Sequence, residues 1–393
     1  MSRFQRRGGG EVEQHAATLE LFFDLVFVFA ITQVSHLLLA HVSWEGAGRA
    51  ALALLVVWWA WQYTAWVTNE LDPDSIAVRL LLIALMLASL LMAIAIPDAF
   101  GDRALLFAGS YVAIQVGRHA FLTFAAAGAG TLERERAGRI LAWFCAAGAL
   151  WIAGALAEGE ARTLLWLAAL AVDYGGPLVT FWVPGRRRLA AGETWELGTG
   201  HFAERFGLFV IIALGESIVI IGATTADLEL DAATVAAFCG AFLGTAALWW
   251  LYFTSIARLS ERALAQAADR VLLARDAYTY GHALIVAGII LTAVGDELVI
   301  AHPAEELPTG ELVAVVAGPA LYLLAQAALR LRMTGGISSR RISGALACVA
   351  IGLLGTVLSA LVVGLLLLAA LVGVIVADRI VGARRAISPR ATP

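Results

Sequence analysis

A chain of 393 residues that is 61% hydrophobic and 15% charged is excluded from the ordinary soluble class, where roughly 25% of residues are charged, and reads as a membrane domain throughout. Its net charge of −4, with every basic residue an Arg and no Lys, gives no support to a nucleic-acid partner. Cys145, Cys239 and Cys348 fall singly in separate apolar segments, so neither a disulfide framework nor a Cys-based metal site is supported, and no metal or cofactor is expected.

The chain opens with a segment, residues 1–18, whose first part, Met1 to Gly10, is Arg- and Gly-rich and lacks the apolar core and cleavage site of a signal peptide. It is assigned to the cytoplasm. A membrane span needs about 20 mostly apolar residues. Twelve runs qualify: about 19–40, 47–68, 76–97, 104–126, 138–157, 162–184, 202–224, 232–256, 271–295, 311–331, 342–358 and 360–378. The last two run together almost without a polar break, so eleven spans with one long helix is the alternative. Arg clusters such as Arg134, Arg136 and Arg139, then Arg186, Arg187 and Arg188, fall in alternate loops. The opposite loops are acidic, with Asp98, Asp102, Glu158, Glu160, Asp296 and Glu297 among them. Twelve spans with both ends cytoplasmic satisfy the positive-inside rule at every loop, whereas eleven would place Arg384 and Arg385 outside.

The stretch from His15 to His36, which opens the first span, carries Glu20, Asp24, Thr32, Gln33 and Ser35 within an apolar run. Glu20 and Asp24 are four apart and share a helix face. A carboxylate at this depth is costly in lipid and should face protein or a wet cavity. The alternative is interfacial pairing with Arg.

The stretch Leu19-Glu-Leu-Phe-Phe-Asp-Leu-Val-Phe-Val-Phe-Ala-Ile-Thr-Gln33 resembles the opening signature of the bacterial low temperature requirement A (LtrA) family. A second signature follows at His201-Phe-Ala-Glu204-Arg205-Phe, ending in Ala213-Leu-Gly-Glu216-Ser217. The resemblance implies a polytopic membrane protein of bacteria and supplies no mechanism.

The run Pro184-Gly-Arg-Arg-Arg188 gives a turn followed by a charge cluster. It divides a first half, 19–184, from a second, 201–380, across a cytoplasmic linker at 185–200, with a cytoplasmic tail at 381–393. Glu20-Leu-Phe22 is echoed by Glu204-Arg-Phe206, and Trp58-Trp59 by Trp249-Trp250. The reading is an all-α polytopic bundle with a parallel 6+6 duplication, whose repeat interface is the usual place for a substrate path.

Counting depth at about 1.5 Å per residue sorts the polar residues into two layers. Glu20, Asp24, Arg118, His119, Glu204, Arg205, Arg275 and Asp276 fall toward the cytoplasm. Gln33, Trp61, Gln62, Tyr63, Asp173, Glu216, Ser217 and His282 fall near mid-depth. Gly215 beside Glu216 would let another backbone approach closely. A network of structural ion pairs is the competing reading of the first layer, and interhelical hydrogen bonding that of the second. The run Trp58, Trp59, Trp61, Tyr63 and Trp66 covers more than one helix face, so part of it is expected to meet lipid or the interface. Spans 5, 11 and 12 carry little polar chemistry and read as scaffold or as a homodimer face.

Three function classes follow. Carboxylates at membrane depth with His282 fit a secondary transporter, with proton coupling, of an unidentified small solute or ion in the bacterial cytoplasmic membrane. Phe23-Asp24 followed by an apolar run is similar to the first-helix signature of a potassium channel family, over one helix only, which keeps an ion channel as the alternative. No HExxH, GxSxG or phosphate-binding Gly-rich loop supports an enzyme.

Overall fold

The computed structural model describes residues 17–128, 130–190, 195 and 197–387. The N-terminal segment up to residue 16 and the last six residues of the tail lie outside the described residues. Among the described residues every regular element is helical. Isolated β-bridges occur there at Leu71 and, antiparallel, between Glu306 and Ser359.

The helices run α1 (Thr18–Ala40), α2 (Trp44–Glu70), α3 (Ile76–Asp98), α4 (Ala104–Phe121), α5 (Leu132–Leu156) and α6 (Gly159–Gly175). They continue as α7 (Thr199–Ala226), α8 (Ala232–Gln266), α9 (Arg270–Ala301), α10 (Thr309–Thr334), α11 (Ser339–Val357) and α12 (Ala360–Ile387). Ten of them are long and apolar enough to cross a membrane. The two that are not are α4, which carries Arg118 and His119, and α6, which has 17 residues. Polar caps set several starts: Ser43 Oγ accepts from Gly46 N–H (3.1 Å), and Asp231 Oδ1 accepts from Thr234 N–H (2.7 Å).

Two boundaries differ from expectation, and a third, the break within 342–378, agrees with it. The sixth helix stops at Gly175 rather than running to 184, because Gly175-Gly176-Pro177 ends it and leads into a tight 3-10 turn. Thr180 and Phe181 then hold left-handed backbone, at φ 53° and 49°. Asp296 and Glu297, expected in a loop, lie inside α9. Residues 342–378 fold as two helices, broken at Leu358–Ser359.

Packing divides the chain into two compact units. One is Met1–Phe209 with Leu264–Thr279; the other is Val210–Ala263 with Tyr280–Pro393. In the first, α2 is the most enclosed span, with 83% of its apolar window buried. Trp58, Trp59, Trp61, Tyr63 and Trp66 are all buried, so the expectation that some of these rings meet lipid is overturned. The helix is surrounded by protein rather than set at an edge. In the second unit, α9 and α10 pack at backbone distance. A Cβ at Gly318 would lie 2.4 Å from Thr292 N, and one at Gly295 would lie 2.8 Å from Val315 Cα. Gly215, expected at such an approach, has no described neighbour within 4 Å of its Cβ position.

Candidate functional site: two buried polar networks around helix α2

The first network joins α1, α2 and the start of α7. Glu20, Asp24 and Arg205 are each 0% exposed, and His201 is 2% exposed. Glu20 folds back at the start of α1, where its Oε2 accepts from Ala17 N–H (2.8 Å). The same carboxylate meets His201 Nε2 at 2.8 Å and Arg205 Nη1 at 3.1 Å. Arg205 Nη2 donates to Asp24 Oδ1 (2.6 Å), which also accepts from Trp61 Nε1 (2.7 Å). Thr68 and Asn69 of α2 close the set: Arg205 Nη1 donates to Thr68 Oγ1 (3.2 Å), and Asn69 Nδ2 lies 3.1 Å from His201 Nδ1. Arg205 thus serves two carboxylates at once. Asp24 Oδ2 and Arg205 Nε have no hydrogen-bond partner among the described residues.

The second network runs from α2 through α4 to α5 and α6. Asp173 Oδ2 accepts from Tyr111 OH (2.8 Å) and Trp151 Nε1 (2.9 Å). Gln115 Nε2 donates to Tyr111 OH (3.0 Å), and Gln115 Oε1 accepts from Arg118 Nη2. Arg118 Nη1 donates to Thr64 Oγ1 (2.9 Å) and Ala60 O (3.2 Å) of α2. Its guanidinium sits 5.5 Å from the centre of the Tyr63 ring. No described carboxylate lies within ion-pair distance of Arg118; a chain of neutral hydrogen bonds connects it to Asp173. His119 Nδ1 lies 3.2 Å from Gln115 O, with the ring packed against Phe144.

The structure therefore regroups the candidates. Glu20, Asp24 and Arg205 come together, as do Arg118, His119 and Asp173. Asp276 pairs instead with its neighbour Arg275 (2.7 Å). Glu204 and Gln33 are half-buried. Glu216, Ser217 and His282 are buried in the other unit, where Ser217 Oγ donates to Ala213 O (3.4 Å) and His282 Nε2 lies 2.8 Å from Tyr252 OH. Trp61, placed at mid-depth, binds Asp24 of the cytoplasmic layer, because position along a helix does not determine which faces meet.

The two signature stretches of the sequence, one on α1 and one on α7, thus meet in a single buried network. Residues 15–376 match the bacterial low temperature requirement A protein (LtrA) family. The chain belongs to the LtrA family. It is 41% identical over 305 residues, 77% of this chain and 74% of the other, to a protein of Rhizobium meliloti (strain 1021) described as "Uncharacterized protein RA0937". No solved structure matches. With ten helices of spanning length and apolarity, this LtrA chain is an integral membrane protein.

His201, Asn69, Tyr111, Gln115 and Trp151 escaped the sequence reading as site residues. A signal for the first was present: His201 and Arg205 are four apart, as are Glu20 and Asp24, so two helices each offer a pair of matching pitch and opposite chemistry. Likewise Tyr111, Gln115 and Arg118 share one face of α4.

Proposed function

We propose that this LtrA protein is a secondary transporter of a small solute or ion in the bacterial cytoplasmic membrane, coupled to protons. One observation supports the reading above others. Asp24 and Asp173, both buried, each keep one carboxylate oxygen without a partner among the described residues. A purely structural ion-pair network gains most when every lone pair is used. Intramembrane carboxylates with spare acceptor capacity are the usual stations of proton and ion paths. The second network adds a continuous hydrogen-bonded chain from Asp173 to Arg118. Twelve spans and cytoplasmic termini belong to the same proposal, resting on the alternation of Arg-rich and acidic loops, as does a parallel 6+6 duplication, resting on the echo of Glu20-Leu-Phe22 in Glu204-Arg-Phe206 and of Trp58-Trp59 in Trp249-Trp250. Transport rather than catalysis is proposed because the buried polar groups form paired networks rather than a nucleophile with its base.

The test is flux in proteoliposomes loaded with a pH-sensitive dye under imposed ion and proton gradients. Wild type should carry a proton flux that falls at least tenfold in Asp24→Asn and in Glu216→Gln, with both variants still folded. Equal flux in both variants would remove the coupling role. Unitary currents in a planar bilayer would replace the carrier with a channel.

A further inference from the structure

The first unit holds a cavity that shares only the Tyr63 ring with the networks. It lies between the C-terminal half of α2, the start of α5, the turn that ends α6 and the start of α9. Its volume is about 60 Å³, whereas a single water needs on the order of 10–15 Å³.

Three residues that line it carry buried donors. Gln62, Arg136 and Arg139 are 0%, 6% and 3% exposed. Gln62 Nε2, Arg136 Nε and Arg139 Nε each find no acceptor among the described residues. The rest of these side chains is engaged. Gln62 Oε1 accepts from Thr279 Oγ1 (3.2 Å). Arg136 forks onto both oxygens of Glu70 (3.0 and 2.5 Å). Arg139 donates to Glu135 Oε1 (2.6 Å) and Arg187 O (2.8 Å). Buried N–H groups are rarely left without acceptors. All three orphans are donors, so the group that answers them carries acceptor oxygens; an ammonium or guanidinium ligand is ruled out.

Charge and shape narrow the class. Arg136, Arg139 and the third lining cation, Arg275, are already paired with Glu70, Glu135 and Asp276, and none of these acids lines the cavity. Each guanidinium is therefore already offset, and no excess of positive charge is left to hold a dianion; what remains for a ligand is hydrogen-bond donors, which suit a single carboxylate. The walls are rings and aliphatic groups: Tyr63, Trp66, Phe181 and Trp195 face it, with the Arg136 guanidinium 3.9 Å from the centre of the Trp195 ring. Thr180 and Phe181, whose left-handed backbone is unfavourable for side chains with a Cβ, form part of this wall. Such strain concentrates at ligand clamps.

We propose that this cavity binds a small monocarboxylate with an apolar, aromatic-sized body, its oxygens on the three donors and its body against the rings. That the ligand is cargo rests on the transport reading; that it binds does not.

Full-length protein in detergent is titrated calorimetrically with benzoate, benzylamine, benzyl alcohol and inorganic phosphate. Benzoate should saturate one site, benzyl alcohol should bind at least tenfold more weakly, and benzylamine and phosphate should not bind. Ile140 lines the cavity and is buried, so Ile140→Trp fills the space while keeping all three donors. It should weaken benzoate at least tenfold, as should Gln62→Leu, with helicity and elution volume unchanged. Equal binding of benzoate and benzyl alcohol would overturn the anion requirement. Phosphate binding without benzoate would overturn the carboxylate class, and failure of benzoate to bind folded wild type would overturn the site. Benzoate binding to a protein that carries no flux would uphold the site and count against transport alone.

Discussion

Arg205 Nη2 lies 2.6 Å from Asp24 Oδ1 and Nη1 lies 3.1 Å from Glu20 Oε1, so one buried guanidinium offsets two buried carboxylates, with His201 as the other basic group at hand. Removing one partner of such a set leaves charge uncompensated in a low dielectric, at a cost of about 3–5 kcal/mol. Arg205→Met should therefore destabilise the protein by about that much, read as a fall in detergent thermal stability. Asp24→Asn should cost less, about 1–2 kcal/mol. Its amide oxygen can still accept from Trp61 Nε1, and Glu20 retains both Arg205 and His201. An Arg205→Met protein as stable as Asp24→Asn would show that the pairing is not what holds α7 against α1. At this scale the sequence revealed the charges and their pitch along each helix. It did not reveal partners, because Arg205 had no means of announcing Glu20 and Asp24, 181 positions or more away, until the helices were placed side by side.

Among the helices, α2 and the α9–α10 pair show how composition is read by position. The aromatic run of α2 looked too wide for one buried face, yet every ring is enclosed, and Trp58 Nε1 and Trp66 Nε1 are answered by Thr279 O (2.7 Å) and Thr279 Oγ1 (2.9 Å). Thr279 sits in a wide π-type segment of α9, Ala274–Gly281, a departure from helical pitch that recurs at functional sites and that apolar periodicity does not encode. The glycines of α9 and α10 act through space rather than through backbone freedom. Gly318→Val would drive a side chain into Thr292 and force the helices apart, at a cost of about 1–3 kcal/mol. Gly222→Ala is the control, since nothing described lies within 4 Å of its Cβ position. It should leave thermal stability unchanged or slightly raised, as alanine favours helix. Equal losses in the two variants would remove close approach as the explanation.

For the molecule as a whole, the helix positions were legible because ten of the helices are apolar runs of spanning length and the other two are shorter or more polar versions of the same pattern. The cavity was not, since it draws residues from position 62 to position 279 and depends on α6 stopping at Gly175. The crossing number turns on α4 and α6, the two rods that fall short of spanning length or apolarity. Their polar groups, Arg118 and Asp173, are buried against protein, and a helix satisfied by its neighbours can cross a bilayer with less apolar surface than one that meets lipid. Twelve crossings and ten make different predictions for the loop that leads into α5, marked by Arg134 in its first turn, and for the loop at Glu305. Between them lie α5 to α9, five crossings if α6 spans and four if it does not, so the loops face opposite sides in the first case and the same side in the second. With Cys145, Cys239 and Cys348 replaced, single cysteines at Arg134→Cys and Glu305→Cys are treated in intact cells with a membrane-impermeant maleimide. Under the proposed orientation Glu305→Cys should label at once and Arg134→Cys only after permeabilisation, because Arg-rich loops favour the cytoplasmic side. Labelling of both without permeabilisation would make α6 a re-entrant element and lower the count. Reversal of the pattern would keep the parity and turn the whole protein over in the membrane.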